Sequence, residues 1–134
     1  MKKTNVIIYG ATGSIGRSTL SIINNNLDKI NIEGITCNSN LLKLLKIANT
    51  FRVKKIGFNE KLIRNLNKFN FNKYEVFNDD TIFHNMISKK TDVIIFASSG
   101  LDSLNLLLKI LKSGKIIGIA NKECIITLGK KFIS

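Results

Sequence analysis

Short apolar runs alternate along the chain with longer stretches of helical periodicity. A continuous apolar, β-branched run is typical of a strand buried on both faces, whereas apolar residues spaced three and four apart indicate a helix packed on one face. The runs predict strands at residues 4–9, 30–37, 55–58, 74–77, 91–97 and 115–120. The periodic stretches predict helices at residues 15–23, 41–51, 61–69 and 101–111, another helix starting at residues 79–81, and a loop or helix at residues 123–134.

This alternation of strand and helix predicts an α/β fold, with a doubly wound parallel sheet covered by helices on both faces. No internal repeat, low-complexity linker or domain boundary interrupts the pattern, so we expect residues 1–134 to form one domain. The chain stops shortly after a predicted sheet strand, without a visible capping element. We therefore expect it to be a truncated form of a longer protein.

Composition excludes several classes of protein. No apolar run reaches the roughly 18 residues that a membrane span needs, and no signal peptide precedes the first strand, which predicts a cytoplasmic protein without a membrane partner. The net charge is +12, but the lysines are scattered and form no basic block, so we expect no nucleic-acid partner. The two cysteines, Cys37 and Cys124, lie far apart, and with a single histidine they predict neither a disulfide framework nor a zinc site.

A glycine-rich segment, residues 10–16, directly follows the first predicted strand and opens the first predicted helix. Gly10 permits a tight turn, Gly13 lets a pyrophosphate approach the backbone, and Gly16 lets the helix pack close to the sheet. The alternative is a plain glycine-rich turn, which the strand-and-helix context disfavours, so the segment predicts a Rossmann-like dinucleotide site. We expect backbone and hydroxyl groups here to bind the phosphates, from Thr12, Gly13, Ser14 and Ile15.

The turn after the second strand bears on which dinucleotide is bound. NAD sites usually place a carboxylate at the end of this strand, where it binds the ribose 2′-hydroxyl. Residues 37–40 contain no carboxylate, and Glu33 lies too early in the strand. The absence favours NADP, with Ser39 and Asn40 as hydrogen-bond donors to the 2′-phosphate; the alternative for each of the two is an ordinary turn residue.

Polar residues also follow the last predicted strand, at Asn121, Lys122 and Glu123. The carboxyl ends of parallel strands form the ligand crevice in such sheets, so these side chains can face cofactor and substrate. Lys122 is a candidate for binding a substrate phosphate or oxygen. A solvated loop is an equally good interpretation from the residues alone.

Four segments together resemble the 1-deoxy-D-xylulose 5-phosphate reductoisomerase family: Gly-Ala-Thr-Gly-Ser-Ile-Gly at 10–16, Ser-Thr-Leu at 18–20, the small-residue turn at 97–101 and Ala-Asn-Lys-Glu at 120–123. The similarity covers the cofactor domain of that family. It implies an NADPH-dependent oxidoreductase that rearranges 1-deoxy-D-xylulose 5-phosphate and reduces it to 2-C-methyl-D-erythritol 4-phosphate in non-mevalonate isoprenoid biosynthesis. It also implies that Asn121 and Glu123 contact NADPH and that Lys122 contacts the sugar phosphate.

The resemblance also implies what the chain lacks. The family commonly has a lysine near the 2′-phosphate, followed by asparagine; this chain keeps Asn40 but has Ser39 in the lysine position, and Lys43 is a candidate to compensate. The family's divalent metal, Mg²⁺ or Mn²⁺, is held by carboxylates that lie beyond this chain. We therefore predict no catalytic or metal-binding residue here, an inactive isolated chain and absent catalytic and carboxyl-terminal domains; a homodimer is compatible with the full-length family.

Two alternatives to this hypothesis remain at this point. The first is another Rossmann reductase of the semialdehyde dehydrogenase type, whose catalytic cysteine lies beyond this region. The second is a non-catalytic NADP-binding remnant.

Overall fold

The computed structural model describes residues 2–99 and 103–120, which form one parallel sheet flanked by helices. The strands are β1 (Thr4–Tyr9), β2 (Ile30–Thr36), β3 (Lys55–Gly57), β4 (Glu75–Phe77), β5 (Val93–Phe96) and β6 (Ile116–Ile119). The α-helices are α1 (Ser14–Asn24), α2 (Leu41–Phe51) and α3 (Ser103–Leu111), and short 3-10 helices span Glu60–Leu62, Leu66–Lys68 and Asp80–Met86.

The order of the strands creates a switch point at the centre of the sheet. Across the sheet the order is β4-β3-β2-β1-β5-β6, and every adjacent pair is parallel. The chain moves outward from β1 to β4 and then returns to place β5 on the other side of β1. Ligands of open α/β sheets bind outside the carboxyl ends of the strands at such a point. The predicted doubly wound fold is confirmed.

The strand β1 shows why the apolar run near the amino terminus is continuous. Side chains alternate across a strand, and Val6 and Ile8 pack into a cluster with residues of α1 and α2 on one face. Ile7 and Tyr9 pack into a second cluster with α3 on the opposite face. The Tyr9 hydroxyl donates a hydrogen bond to the carbonyl of Phe83 at 2.9 Å, which ties the Asp80–Met86 helix to the sheet. Both faces of the strand are therefore buried.

The predicted helix at residues 61–69 is wrong. The segment forms two 3-10 turns separated by residues 63–65, and Asn65 has a left-handed backbone, with φ of 55° and ψ of 45°. Asparagine adopts this conformation more readily than most residues and competes with helical hydrogen bonding. The apolar residues that suggested helical periodicity still pack against the first core cluster, Ile63, Leu66 and Phe69 among them.

The predicted helix start at residues 79–81 is confirmed, but the helix is of the 3-10 type. Asp79 precedes it, and its side-chain Oδ1 accepts a hydrogen bond from the Thr81 backbone N–H at 2.9 Å. Phe83 and Met86 are the buried residues of this helix, and they contact the second core cluster.

The last strand, β6, is covered on only one face by the described residues. Ile117 and Ile119 pack against the second core cluster, whereas Ile116 is 72% exposed. The sequence predicts a fully buried strand here, and the structure corrects this, because Ile116 and Gly118 of β6 are exposed. Within residues 2–99 and 103–120, no helix is both long and apolar enough to cross a membrane.

Candidate functional site

The glycine turn between β1 and α1 lies at the switch point of the sheet. Gly10 has a φ of +86°, a conformation that glycine adopts without strain. A Cβ at Gly10 would lie 2.7 Å from the backbone carbon of Ala97 and 2.7 Å from the backbone nitrogen of Ser98. Gly10 is therefore required both by its own backbone angle and by the close approach of the chain that leaves β5.

The other two glycines of the motif have different surroundings. A Cβ at Gly16 would lie 2.5 Å from the carbonyl oxygens of Gly10 and of Ala11, so only glycine lets α1 begin this close to the turn. At Gly13 the nearest atom to an added Cβ is the Gly10 oxygen, at 3.9 Å. The space beside Gly13 is open, as a site for an approaching phosphate requires.

Helix α1 presents backbone donors toward this open space. Its N-cap is Gly13, and the Arg17 N–H donates to the Gly13 carbonyl at 2.9 Å. The N–H groups of the first turn, from Ser14 to Gly16, precede this bond and have no preceding turn to bond to. Together with the positive end of the helix dipole they form a favourable environment for an anion.

Thr36, the last residue of β2, holds the glycine turn in place through two hydrogen bonds. Its Oγ1 accepts a hydrogen bond from the Gly10 N–H at 2.9 Å, and its carbonyl accepts one from the Ala11 N–H at 2.8 Å. The residue is buried, with 1% of its surface exposed. The sequence interpretation did not identify Thr36, although a hydroxyl residue at the end of an apolar strand was a visible indication.

A small cavity of about 140 Å³ brings together several of the predicted residues. Thr12 and Gly13 line it from the glycine turn, and Ser39 and Asn40 line it from the turn after β2. The remaining lining residues were not predicted from the sequence to contact the cofactor, although Gly10 and the turn at 97–101 were noted for other reasons: Gly10, Asn38, Ala97, Ser98 and Ser99.

The other predicted site residues do not line this cavity. Ser14 and Ile15 are exposed in the first turn of α1. Asn121, Lys122 and Glu123 lie outside the described residues, so their predicted roles stay predictions.

The turn after β2 is fastened to the glycine turn by Lys43. Asn40 is the N-cap of α2, and its Oδ1 accepts a hydrogen bond from the Lys43 backbone N–H at 3.2 Å. The Lys43 ammonium reaches across to donate to the Thr12 carbonyl at 2.7 Å. Asn40 therefore uses its oxygen within the helix, which leaves its amide N–H groups for a ligand.

The end of β2 carries no negative charge. Cys37 is buried, and burial raises the pKa of its thiol to about 12, so the thiol is neutral near neutral pH. Asn38, Ser39 and Asn40 follow it, and all three are exposed and uncharged. Nothing in this turn repels a phosphate.

Glu33, the carboxylate of β2, is bound away from the site. It accepts hydrogen bonds from Lys55 Nζ at 2.7 Å, Ser88 Oγ at 2.8 Å and Thr91 Oγ1 at 2.7 Å. Burial alone would raise the pKa of Glu33, but these hydrogen bonds and the Lys55 charge outweigh it, and the pKa lies below its ordinary value. The carboxylate is therefore ionised and paired, and Glu33 is not among the residues that line the cavity at the glycine turn.

A larger cavity of about 810 Å³ adjoins the small one and shares Asn38, Ser98 and Ser99 with it. Apolar side chains contribute to its wall, among them Leu62, Phe83 and Leu106. Its volume is within the range of small-molecule sites, and polar or charged residues, among them Asp80, Thr81 and Lys109, share its wall with the apolar ones. Across the described parts of the chain, no three His, Cys, Asp or Glu residues are grouped to hold a metal ion.

The strand order, the glycine turn and the cavity at the switch point define a Rossmann-like α/β domain, the class that binds dinucleotides. Within that class the sequence is specific. The chain belongs to the 1-deoxy-D-xylulose 5-phosphate reductoisomerase family, whose family model matches residues 6–129. The resemblance to this family is thereby confirmed, and the semialdehyde dehydrogenase alternative is set aside.

Individual relatives agree with this assignment. The 1-deoxy-D-xylulose 5-phosphate reductoisomerase of Pelagibacter ubique is 40% identical over 134 aligned residues, covering 94% of this chain and 33% of the relative. The Zymomonas mobilis reductoisomerase, solved in complex with NADPH, superposes with a TM-score of 0.85 at 28% identity, covering 98% of this chain and 35% of that one. Another reductoisomerase, solved with NADPH, fosmidomycin and magnesium, gives a TM-score of 0.83 at 29% identity, covering 92% of this chain and 31% of that one. The chain thus spans about a third of the length of these relatives.

Proposed function

We propose that residues 1–134 form one domain that binds NADPH and supplies the cofactor-binding part of a 1-deoxy-D-xylulose 5-phosphate reductoisomerase. The observation that carries the proposal is the cavity where the glycine turn meets the carboxylate-free turn after β2. Membership of the family supports it, and so does the likeness to a reductoisomerase solved with NADPH.

Each part of the site has a role in this proposal. The pyrophosphate lies beside Gly13, where an added Cβ meets open space, and accepts hydrogen bonds from the first turn of α1. The 2′-phosphate lies at Ser39 and Asn40, whose side chains are exposed and can donate hydrogen bonds. The adenosine occupies the larger neighbouring cavity, where apolar side chains can pack against the base.

The whole reaction needs groups beyond those described. NADPH, when bound, supplies the hydride for reduction of the rearranged 1-deoxy-D-xylulose 5-phosphate. We propose that Asn121 and Glu123 contact the cofactor, that Lys122 holds the substrate, and that a divalent metal, Mg²⁺ or Mn²⁺, is held by carboxylates outside the described residues. Under this proposal the 134-residue chain alone binds the cofactor but does not turn over substrate.

Calorimetric titration with NADPH and with NADH tests the proposal. We expect saturable binding of NADPH, at least about tenfold tighter than that of NADH, because the site holds no carboxylate against the 2′-phosphate. The half-cofactors 2′,5′-ADP and 5′-AMP both lack the nicotinamide and differ in the 2′-phosphate. We expect 2′,5′-ADP to bind more tightly than 5′-AMP, in the same order as NADPH and NADH. Absence of saturable NADPH binding by the folded protein would contradict the proposal.

A further inference from the structure

Among residues 2–99 and 103–120, those that line the cavity proposed to receive phosphates are uncharged. Its lining comes from the glycine turn, residues 38–40 and residues 97–99, and none of these is a lysine or an arginine. Hydrogen bonds to charged groups are stronger than those between neutral groups, so an anionic ligand gains most from a cation close to the cavity. Lys43 is a cation that is hydrogen-bonded to one of the lining residues, Thr12.

Lys43 is held between the two turns that border the cavity. Its backbone N–H is capped by Asn40 from the turn after β2, and its ammonium donates to the Thr12 carbonyl of the glycine turn at 2.7 Å. The side chain is half-buried along this path, which restricts where the ammonium can lie. The positive charge is therefore held at the glycine turn, on the side chain of a residue whose backbone is capped from the turn after β2.

The ammonium retains capacity for a ligand. It carries three N–H donors, and the structure shows one of them bonded, to Thr12. The ion pair that the described residues show is between Glu33 and Lys55, so within this part of the chain no carboxylate neutralises Lys43. A neutral carbonyl partner orients the ammonium without cancelling its charge.

We propose that Lys43 is the residue that selects the 2′-phosphorylated cofactor, by donating from its ammonium to the 2′-phosphate beside Ser39 and Asn40. The inference rests on the proposed NADPH binding and goes beyond it by naming the cation that makes the selection. The competing role for Lys43 is purely structural, in which it only holds α2 against the glycine turn. A structural role would support the binding of both dinucleotides equally, whereas a cation that contacts the 2′-phosphate favours NADPH.

The test compares Lys43→Met with Lys46→Met by calorimetric titration. Lys46 is an exposed lysine three residues further along α2, so the control removes the same charge from the same helix. We expect Lys43→Met to weaken NADPH binding about 10- to 100-fold, the range of a charge-assisted hydrogen bond, and to change NADH binding less than about threefold. Lys46→Met should leave both affinities within about twofold, and Lys43→Arg should keep the preference for NADPH.

Two further measurements complement this comparison, and the second of them requires no substitution. In the double variant Ser39→Lys, Lys43→Met, a cation placed in the turn itself should restore the preference for NADPH. In the unaltered protein, NADPH should protect the Lys43 amine from acetylation, measured by mass spectrometry, more strongly than NADH at equal saturation.

The outcomes separate this inference from the proposed function. Equal losses of NADPH and NADH affinity in Lys43→Met, unchanged affinities, or equal protection by the two cofactors would each overturn the selecting role while leaving NADPH binding in place. If the unaltered folded protein binds neither cofactor, the proposed function fails, and this inference fails with it.

Discussion

Replacing Gly13 with valine should abolish NADPH binding and leave the fold intact. Gly13 has a φ of −80° and a ψ of −179°, which any residue adopts, and its nearest neighbour to an added Cβ is 3.9 Å away. Replacing glycine at an N-cap by valine destabilises the folded state by about 0.5–1 kcal/mol. Valine also restricts the unfolded chain, which stabilises the folded state by about 0.4–1 kcal/mol and offsets most of that loss. The free energy of unfolding should therefore change by less than about 1 kcal/mol.

Replacing Gly16 with alanine should do the opposite. Its Cβ would lie 2.5 Å from two backbone carbonyl oxygens, those of Gly10 and Ala11, so the backbone must move. Overpacking of this kind costs about 1–3 kcal/mol. At about 3 °C per kcal/mol for a domain of this size, the melting temperature should fall by roughly 3–9 °C.

Thermal melts and NADPH titrations of both variants separate the two effects. The valine at position 13 occupies the space of the pyrophosphate, and loss of two charge-assisted hydrogen bonds corresponds to at least about a 100-fold rise in Kd. Gly13→Ala provides a graded control, with a smaller rise. Unchanged NADPH affinity in a folded Gly13→Val protein would refute the placement of the pyrophosphate, and a melting temperature as low as that of Gly16→Ala would show that the space is not open.

Three other predictions follow from the charges and burial of single residues. Ser39→Asp should erase or reverse the preference for NADPH over NADH in the titration, because a carboxylate repels the 2′-phosphate and accepts from a ribose hydroxyl. Glu33→Gln should lower the free energy of unfolding at pH 7 by about 2 kcal/mol in denaturant melts, because it weakens charge-assisted hydrogen bonds from Lys55. The depressed pKa of Glu33 means that its stabilisation is complete above the ordinary carboxyl pKa and is lost as pH falls through the folded pKa; melts between pH 7 and pH 3 should show this decline in the unaltered protein and less of it in Glu33→Gln. Cys37 should react with a thiol reagent at pH 8 only as fast as the protein opens, measured in a Cys124→Ser background, because its thiol is 2% exposed and its pKa is raised to about 12.

Each of these predictions has a contradicting outcome. An unchanged cofactor ratio in Ser39→Asp would place the 2′-phosphate elsewhere. Identical acid dependence of Glu33→Gln and the unaltered protein would assign the decline to other groups. Reaction of Cys37 at the rate of a free thiol would show that the end of β2 is open to solvent.

The strands and helices that the sequence predicts best are those with one dominant pattern. The bounds of β1 and α2 agree residue for residue with the apolar run and the helical spacing from which they were predicted. The segment at residues 61–69 has apolar spacing as well, but Asn65 breaks it with a left-handed backbone. The apolar residues of this segment pack against the core individually, from separate turns, and not as one face of a helix. A local apolar pattern does not distinguish these two arrangements.

The same distinction applies to the candidate site, where local features could be predicted from the sequence and long-range contacts could not. Gly10 and Gly16 were predictable because their roles follow from a local turn between a strand and a helix. The hydrogen bond from Gly10 to the Thr36 hydroxyl joins residues 26 positions apart, and the bond from Lys43 to Thr12 joins residues 31 positions apart. Contacts over such separations depend on how β1, β2 and α2 pack, which hydrophobic periodicity does not specify.

The central place of β1 also determines the sequence in which the sheet can assemble. Asn5, in β1, is hydrogen-bonded both to Asn31, 26 residues away, and to Asp92, 87 residues away. Closing the longer loop costs about 1 kcal/mol more in chain entropy, so the β1–β2 half is expected to form first and β5 to dock later. The glycine turn then forms early, whereas Ala97 and Ser98, which line the cavity beside it, take their places only when β5 docks. In this order of assembly the phosphate turn forms before the cavity is complete, so the cofactor can stabilise only the last step of folding.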